Sequence, residues 1–109
     1  MSCSRQRVRA LNDTLRKQHR GGTIVITQGV QALGAETIQR IDAAISAFEG
    51  FTPDNDPYGE HDFGAVRVDD HVIFFKIDYY DPDLLHHSPD PADPAVTRRV
   101  MTIMLADEY

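Results

Sequence analysis

All six prolines of this 109-residue chain lie between Pro53 and Pro94, and this placement constrains the fold more than any other sequence feature. Four of the six follow an aspartate. A proline disfavours helical geometry in the residue before it, so such pairs form turns or extended segments. We therefore expect the helices within the first 50 residues, and two long loops, at residues 52–62 and 81–94, in the remainder of the chain.

Two stretches of the N-terminal half have helical periodicity. The first covers residues 5–19, with an N-cap at Ser4 and most of its basic residues away from its apolar face. It ends before Gly21 and Gly22, which favour the left-handed conformation at the C-terminus of a helix. The second covers residues 35–48, where large apolar residues recur every three or four positions. This second stripe predicts the main helical contribution to the core.

Four short β-prone segments complete the pattern. Residues 23–27 are a β-branched run that predicts a buried strand, and residues 63–68 and 72–79 predict a hairpin. Residues 98–106 also offer a helical stripe, but their β-branched content favours a strand that pairs with the hairpin. Within the second hairpin strand, alternation predicts an inward-facing set made of Ile73, Phe75, Ile77 and Tyr79.

The expected architecture is one α+β domain over residues 1–109. Two helices pack on one face of a small, mainly antiparallel sheet of three to four strands, whose order is left open. An unpaired edge strand would allow a homodimer. Cys3 is the only cysteine, so no internal disulfide is expected and a reducing cytoplasm is the expected compartment. No apolar run reaches the about 20 residues that a membrane helix needs.

The formal net charge of -6 is unevenly distributed along the chain. Residues 1–20 carry six bases and one acid, whereas residues 49–94 carry twelve acids and two bases. An acidic field repels nucleic acid and attracts basic surfaces. The sequence therefore predicts a protein partner with a basic, nucleic-acid-binding surface, rather than direct binding of nucleic acid by the basic helix.

The first proline-rich loop concentrates the residues that could bind a metal ion. A calcium-loop template that starts at Asp54 fails at its fifth and twelfth positions, where the chain has Tyr58 and Ala65. A looser divalent-cation site is the remaining metal hypothesis. Its weak candidate ligands are Asp54, Asp56 and His61.

Two other interpretations of this loop need no metal. Glu60, His61 and Asp62 could act as a general acid/base group, with His86 and His87 as further imidazoles. Alternatively, His61 and the acids satisfy the backbone amides of their own loop. The sequence has no nucleophile motif and no phosphate-binding glycine loop, so no catalytic residue and no cofactor is assigned.

A protein partner is expected to contact the acids and tyrosines of the two loops, because tyrosine is enriched at protein interfaces. The predicted contact residues are Asp54, Asp56, Tyr58, Glu60, Asp62, Tyr80, Asp81 and Asp83. For the two adjacent tyrosines a second interpretation is open, in which Tyr79 belongs to the core and Tyr80 covers a sheet edge.

Five segments resemble a bacterial family of about this length that is catalogued as a domain of unknown function and found mainly in alphaproteobacteria. They are RALNDTLR (9–16), TPDNDPYGEHDFG (52–64), FKIDYYD (75–81), DPADP (90–94) and TIMLADEY (102–109). The resemblance covers almost the whole chain. It implies a stand-alone small protein without an established activity, and it supplies no catalytic residues.

Two main function classes remain. The first is a non-enzymatic protein whose acidic half docks on a basic surface. Small acidic proteins of this kind resemble inhibitors carried by mobile elements, including anti-CRISPR proteins, which block nucleic-acid binding by bacterial defence complexes. The alternative is a small metal-dependent or acid/base enzyme that uses residues 52–62 with His86 and His87. A regulator or antitoxin is a third hypothesis. The absence of a complete catalytic motif favours the first class.

Overall fold

A computed structural model describes residues 2–109 of the backbone and the side chains of residues 4–109, so the Cys3 thiol lies outside the described part. The elements are α1 (Ser2–Gln18), β1 (Thr23–Ile26), α2 (Gln28–Gln31), α3 (Ala35–Ala47), β2 (Phe63–Val68), β3 (His71–Tyr80) and β4 (Arg98–Leu105). The strand order is β1-β4-β3-β2, with β1 parallel to β4 and the other pairs antiparallel. The predicted α+β class with a mainly antiparallel sheet is confirmed.

The two ends of α1 differ in detail from the prediction. The helix begins at Ser2, so Ser4 lies in its first turn rather than at the N-cap. It ends at Gln18, and His19 takes the left-handed conformation, with φ of 59°, that the sequence pattern assigns to the glycines after it. No helix of the described residues is long and apolar enough to cross a membrane.

The hairpin and the last strand form as predicted. Asp69 and Asp70 connect β2 to β3 in a two-residue turn, and both have positive φ, which is the geometry of a type I′ hairpin turn. β4 then pairs with β3 along its whole length. As a strand this segment places Met101 and Ile103 on the buried face, and that burial favours the strand over the helical alternative.

β1 is an edge strand, and this corrects the prediction that residues 23–27 form a buried one. In the sheet it neighbours β4 alone, and Val25 is 40% exposed. A β-branched run favours extended backbone but does not distinguish an edge from a centre. Thr27 leaves the strand because it caps α2, a helix that the sequence pattern does not predict, through a hydrogen bond that its hydroxyl accepts from Val30 N.

The core lies between the helices and one face of the sheet. β3 contributes the inward-facing set that alternation predicts, with its first three members buried and Tyr79 packed at the margin. Leu15 of α1 and Ile41 and Ile45 of α3 meet this face. Full burial of each such aliphatic side chain stabilises the fold by roughly 1.5–3 kcal/mol.

The antiparallel topology brings both proline-rich loops to one end of the sheet. β3 runs opposite to β2 and β4, so the start of β2, the end of β3 and the start of β4 lie on the same side. Residues 52–62 enter β2 there, and residues 81–97 join β3 to β4 there. We call this side the loop end. The other end carries the β2–β3 turn and the short 3-10 helix Ala106–Glu108.

Candidate functional site

A buried polar network connects the two loops at the loop end. Its centre is Asn12 of α1, which is fully buried. The Asn12 amide donates to the Tyr79 hydroxyl at 2.8 Å and to the Glu60 carbonyl at 3.0 Å, and its oxygen accepts from Arg99 Nε at 2.7 Å. The Tyr79 hydroxyl in turn donates to Glu60 Oε1 at 2.8 Å. We call these four residues the Asn12 network.

Arg99 extends the Asn12 network to the second loop. Its Nη2 donates to the Pro91 carbonyl, and its guanidinium lies 5.1 Å from the centre of the Tyr79 ring. Burial raises the pKa of the Tyr79 hydroxyl, so the phenol keeps the proton that it donates to Glu60. Burial also lowers the pKa of Arg99. Satisfied buried polar groups of this kind hold the two loops in one arrangement.

A second cluster surrounds His61, which lies between two carboxylates. Its Nδ1 is 2.9 Å from Asp13 Oδ1, and its Nε2 is 3.8 Å from Asp56 Oδ2. The imidazole stacks on the Phe51 ring, with 3.8 Å between the ring centres. Asp13 Oδ1 also accepts from Arg16 Nη2 at 2.9 Å. A carboxylate that fixes one imidazole nitrogen is the arrangement typical of an oriented general base.

Arg16 is buried, whereas the neighbouring Lys17 is exposed. Its Nη1 donates to the Ile45 carbonyl at 2.9 Å and to the Phe48 carbonyl at 2.8 Å, at the end of α3. The last carbonyls of a helix lack partners within the helix and carry partial negative charge, so a cation there is stabilising. Arg16 thus joins α1 to α3 while it holds Asp13 beside His61.

An open cleft of about 430 Å³ lies beside His61. Its lining includes Arg5 and Arg9 of α1 and the segment that contains Tyr58. The Arg5 guanidinium lies 5.5 Å from the centre of the Tyr58 ring, and Arg9 Nε donates to the Gly59 carbonyl at 2.7 Å. The cleft therefore combines two guanidiniums with an oriented imidazole.

Six of the eight loop acids fall into two groups by environment. Four accept backbone N–H groups of their own loops, as the loop-stabilising interpretation predicts: Asp56, Asp81, Asp90 and Asp93. Asp54 and Asp83 are exposed, and within the described side chains they make no hydrogen bond or ion pair. Each loop has four acids, and in residues 4–109 none of the eight is ion-paired with lysine or arginine.

The remaining predicted contact residues have different positions. Glu60 belongs to the Asn12 network, while Tyr58 is 64% exposed on the first loop. Asp62 is partly buried, and burial together with the nearby charge of Glu60 raises the pKa of its carboxyl. Tyr80 is the last residue of β3 and lies past the last residue that pairs with β2, between Arg98 of β4 and an isolated bridge to His87.

The second loop also presents two leucines that the sequence pattern does not single out. Leu84 and Leu85 are 55% and 74% exposed. Leu84 has a φ of 62°, a conformation that bulky residues seldom adopt. Asp81 maintains this turn, because its carboxylate accepts from Leu85 N at 3.0 Å and its carbonyl from Leu84 N at 2.9 Å. Backbone strain of this kind is concentrated at functional sites.

The histidines of the second loop do not join His61 in a metal centre. His87 packs edge-on against Tyr79, with 6.2 Å between the ring centres, and its Nδ1 is 2.8 Å from the Ser88 carbonyl. In the part of the chain that the structure describes, no three histidine, cysteine, aspartate or glutamate side chains come together to hold a metal ion. The candidates Asp54, Asp56 and His61 therefore do not form a group of three metal ligands.

The charge separation along the sequence is not a separation in space. Arg7 Nε donates to the Ala92 carbonyl at 2.7 Å, and Arg9 contacts the first loop in the same way, so α1 lies against both acidic loops. These arginines bind backbone carbonyls rather than carboxylates. Arg7 and Arg9 therefore stabilise the loops without neutralising a loop carboxylate, and the exposed Asp54, Asp83 and Asp90 keep their charge at the surface.

Residues 26–108 match the model of a family described as a protein of unknown function, DUF3768. The chain belongs to the DUF3768 family. No curated protein and no solved structure matches it. In this DUF3768 protein the match contains both loops and three members of the Asn12 network, whereas α1 with Asn12, Asp13 and Arg16 precedes it. The resemblance to a domain of unknown function is thereby confirmed.

Four residues of these clusters were not predicted: Asn12, Asp13, Arg16 and Arg99. A usable signal was present for two of them. Arg16 lies eight positions after the buried Val8 and so shares the inward face of α1, and Arg99 alternates with Met101 and Ile103 on the inward face of β4. A polar residue at an inward position indicates a buried hydrogen-bond network, because burial without partners is costly.

Proposed function

We propose that this DUF3768 protein is a non-enzymatic binding protein whose loop end docks on a basic surface of a protein partner. One observation carries the proposal. The eight loop carboxylates, none paired with lysine or arginine in the described residues, share one end of the sheet with the exposed Leu84 and Leu85. Complementary charge speeds association, and apolar burial prolongs the complex.

The chemistry of the partner follows from the carboxylates. A surface that binds nucleic acid presents lysine and arginine to phosphates, and arginine also binds carboxylates with paired hydrogen bonds. In its finer form, the proposal is an inhibitor that occupies the nucleic-acid channel of a bacterial defence complex, as anti-CRISPR proteins do. Docking at the loop end would then exclude nucleic acid from that partner.

The experiment compares two triple variants that change the net charge equally. The loop-end variant carries Asp54→Asn, Asp83→Asn and Asp90→Asn, and the control variant carries Glu36→Gln, Asp70→Asn and Asp107→Asn. All six residues are exposed, and those of the control variant lie outside the two loops. Each immobilised protein is incubated with host lysate at low salt and at high salt. Nucleic acid is then added, and the proteins that it displaces are identified.

The proposal predicts that wild type and the control variant retain a nucleic-acid-binding protein at low salt, and that nucleic acid displaces it. The loop-end variant should retain little of it, and high salt should weaken retention because charges at the surface are screened. Equal retention by the two triple variants would refute the proposed surface. Failure of wild type to retain any nucleic-acid-binding protein would refute the proposed partner class.

A second candidate function rests on the Asp13–His61 pair. The 2.9 Å contact orients the imidazole, and His61 lines the cleft, so acid/base catalysis without a metal is the form of the enzyme alternative that this geometry favours. The test measures hydrolysis of p-nitrophenyl esters and phosphates by wild type, His61→Gln and Asp13→Asn. Turnover that both variants lose while they stay folded would support it, and absence of turnover in wild type would refute it for these substrates.

A further inference from the structure

The cleft beside His61 has a positive local charge in a protein whose net charge is -6. Its lining includes the guanidiniums of Arg5 and Arg9, the imidazole of His61 and one carboxylate, that of Asp56. Asp56 is only 7% exposed, and its carboxylate accepts hydrogen bonds from the backbone amides of Glu60 and His61. The two guanidiniums are therefore the charged groups that a molecule in the cleft would meet first.

The two arginines are placed as a pair. Arg5 and Arg9 are four residues apart on α1, so their side chains project from the same face of the helix. Like charges at this spacing repel each other, and an anion between them removes that repulsion. Arg9 is anchored through Nε to the Gly59 carbonyl, and the Arg5 guanidinium lies against the exposed Tyr58 ring. Guanidinium groups match the geometry of phosphate and carboxylate oxygens.

We propose that this cleft binds the terminal phosphate group of a small phosphorylated molecule. Phosphate offers several acceptor oxygens, enough to accept hydrogen bonds from both guanidiniums at once. The volume of about 430 Å³ falls within the range of small-molecule sites, and Tyr58 at its wall offers an apolar surface to the rest of the ligand. A long polyanion is disfavoured, because the exposed Asp54 directly follows Pro53 in the cleft lining and would repel it. This site does not depend on the partner proposed above.

The test is an NMR titration of the full ¹⁵N-labelled chain with inorganic phosphate, adenosine 5′-monophosphate and adenosine, at constant ionic strength held with chloride. Phosphate and the monophosphate should give saturable shifts at Arg9, Gly59 and His61, and adenosine should give none. Arg5→Gln should weaken phosphate binding about tenfold, the effect expected for loss of one charge-assisted hydrogen bond. Arg5 is exposed, so the spectrum of this variant should otherwise be unchanged.

Arg20→Gln is the matched control, because Arg20 is exposed, lies just after α1 and does not line the cleft. It should bind phosphate as wild type does. Non-saturating shifts with phosphate, or equal weakening by the two arginine variants, would overturn the site. A 5′-phosphorylated oligonucleotide that bound much more tightly than adenosine 5′-monophosphate would overturn its assignment to a small molecule.

Discussion

Replacement of Asn12 by alanine tests whether the Asn12 network determines the arrangement of the loop end. The substitution removes the donor to the Glu60 carbonyl and the acceptor of Arg99 Nε, both of which are at least partly buried. The Tyr79 hydroxyl loses one partner but keeps its bond to Glu60 Oε1. Two groups are therefore left without the partner that Asn12 provides, one of them charged.

The expected cost follows from those two groups. An unsatisfied buried polar group costs about 1–3 kcal/mol, and more when it is charged, so the loss in the free energy of unfolding should be about 4 kcal/mol. A domain of this size has only about 5–15 kcal/mol of stability. With a urea m-value of about 1.5 kcal/mol/M, the unfolding midpoint should fall by about 2.7 M.

Urea unfolding followed by circular dichroism measures this loss. Gln6→Ala is the control, since Gln6 is an exposed residue of the same helix and should change stability by less than about 0.5 kcal/mol. A loss below about 1 kcal/mol for Asn12→Ala would refute the reasoning, because it would mean that the hydrogen bonds of Asn12 are replaced without cost.

Three further predictions concern the folded chain. Asp62→Asn should stabilise the protein at neutral pH but not below the pKa of Asp62 in the unfolded chain. The pKa of Asp62 is raised in the folded protein, so wild type loses stability as the pH rises through that folded-state pKa, and asparagine removes this loss. Urea unfolding at several pH values measures the difference. Gly64→Ala should cost about 1–3 kcal/mol in urea unfolding, since its Cβ would lie 2.5 Å from the Phe75 ring and 2.9 Å from the Phe48 ring. Calcium, magnesium, manganese and zinc should leave the melting temperature unchanged, whereas an ion at 100 times its dissociation constant would add about 2.7 kcal/mol of stability.

The elements that the sequence predicts well are those whose residues repeat with one period over a long segment. The stripe of α3 and the alternation in β3 each fix which side chains are buried, and Ile41, Ile45 and Phe75 lie in the core accordingly. β1 and α2 are too short for this signal. A run of four β-prone residues predicts a strand but not its place in the sheet. The N-cap of α2 at Thr27 depends on where β1 ends, and the sequence pattern does not indicate that point.

The clusters at the loop end could be predicted only in part, because their members come from distant parts of the chain. His61 was a candidate, but its partner Asp13 is 48 positions away. Arg99 reaches Asn12 across 87 positions. Periodicity and local motifs carry no information about such contacts, which exist because the sheet topology brings both loops against α1. For the same reason, the charge pattern of the sequence does not show that Arg7 and Arg9 of α1 contact the acidic loops.

The most direct test of the central claim measures the rate at which the retained nucleic-acid-binding partner associates with each of the two triple variants at several salt concentrations. Docking through the loop end predicts that the loop-end variant associates about tenfold more slowly than the control variant at low salt, and that the difference shrinks as salt screens the charges. Equal association of the two variants with the partner at low salt would contradict the claim.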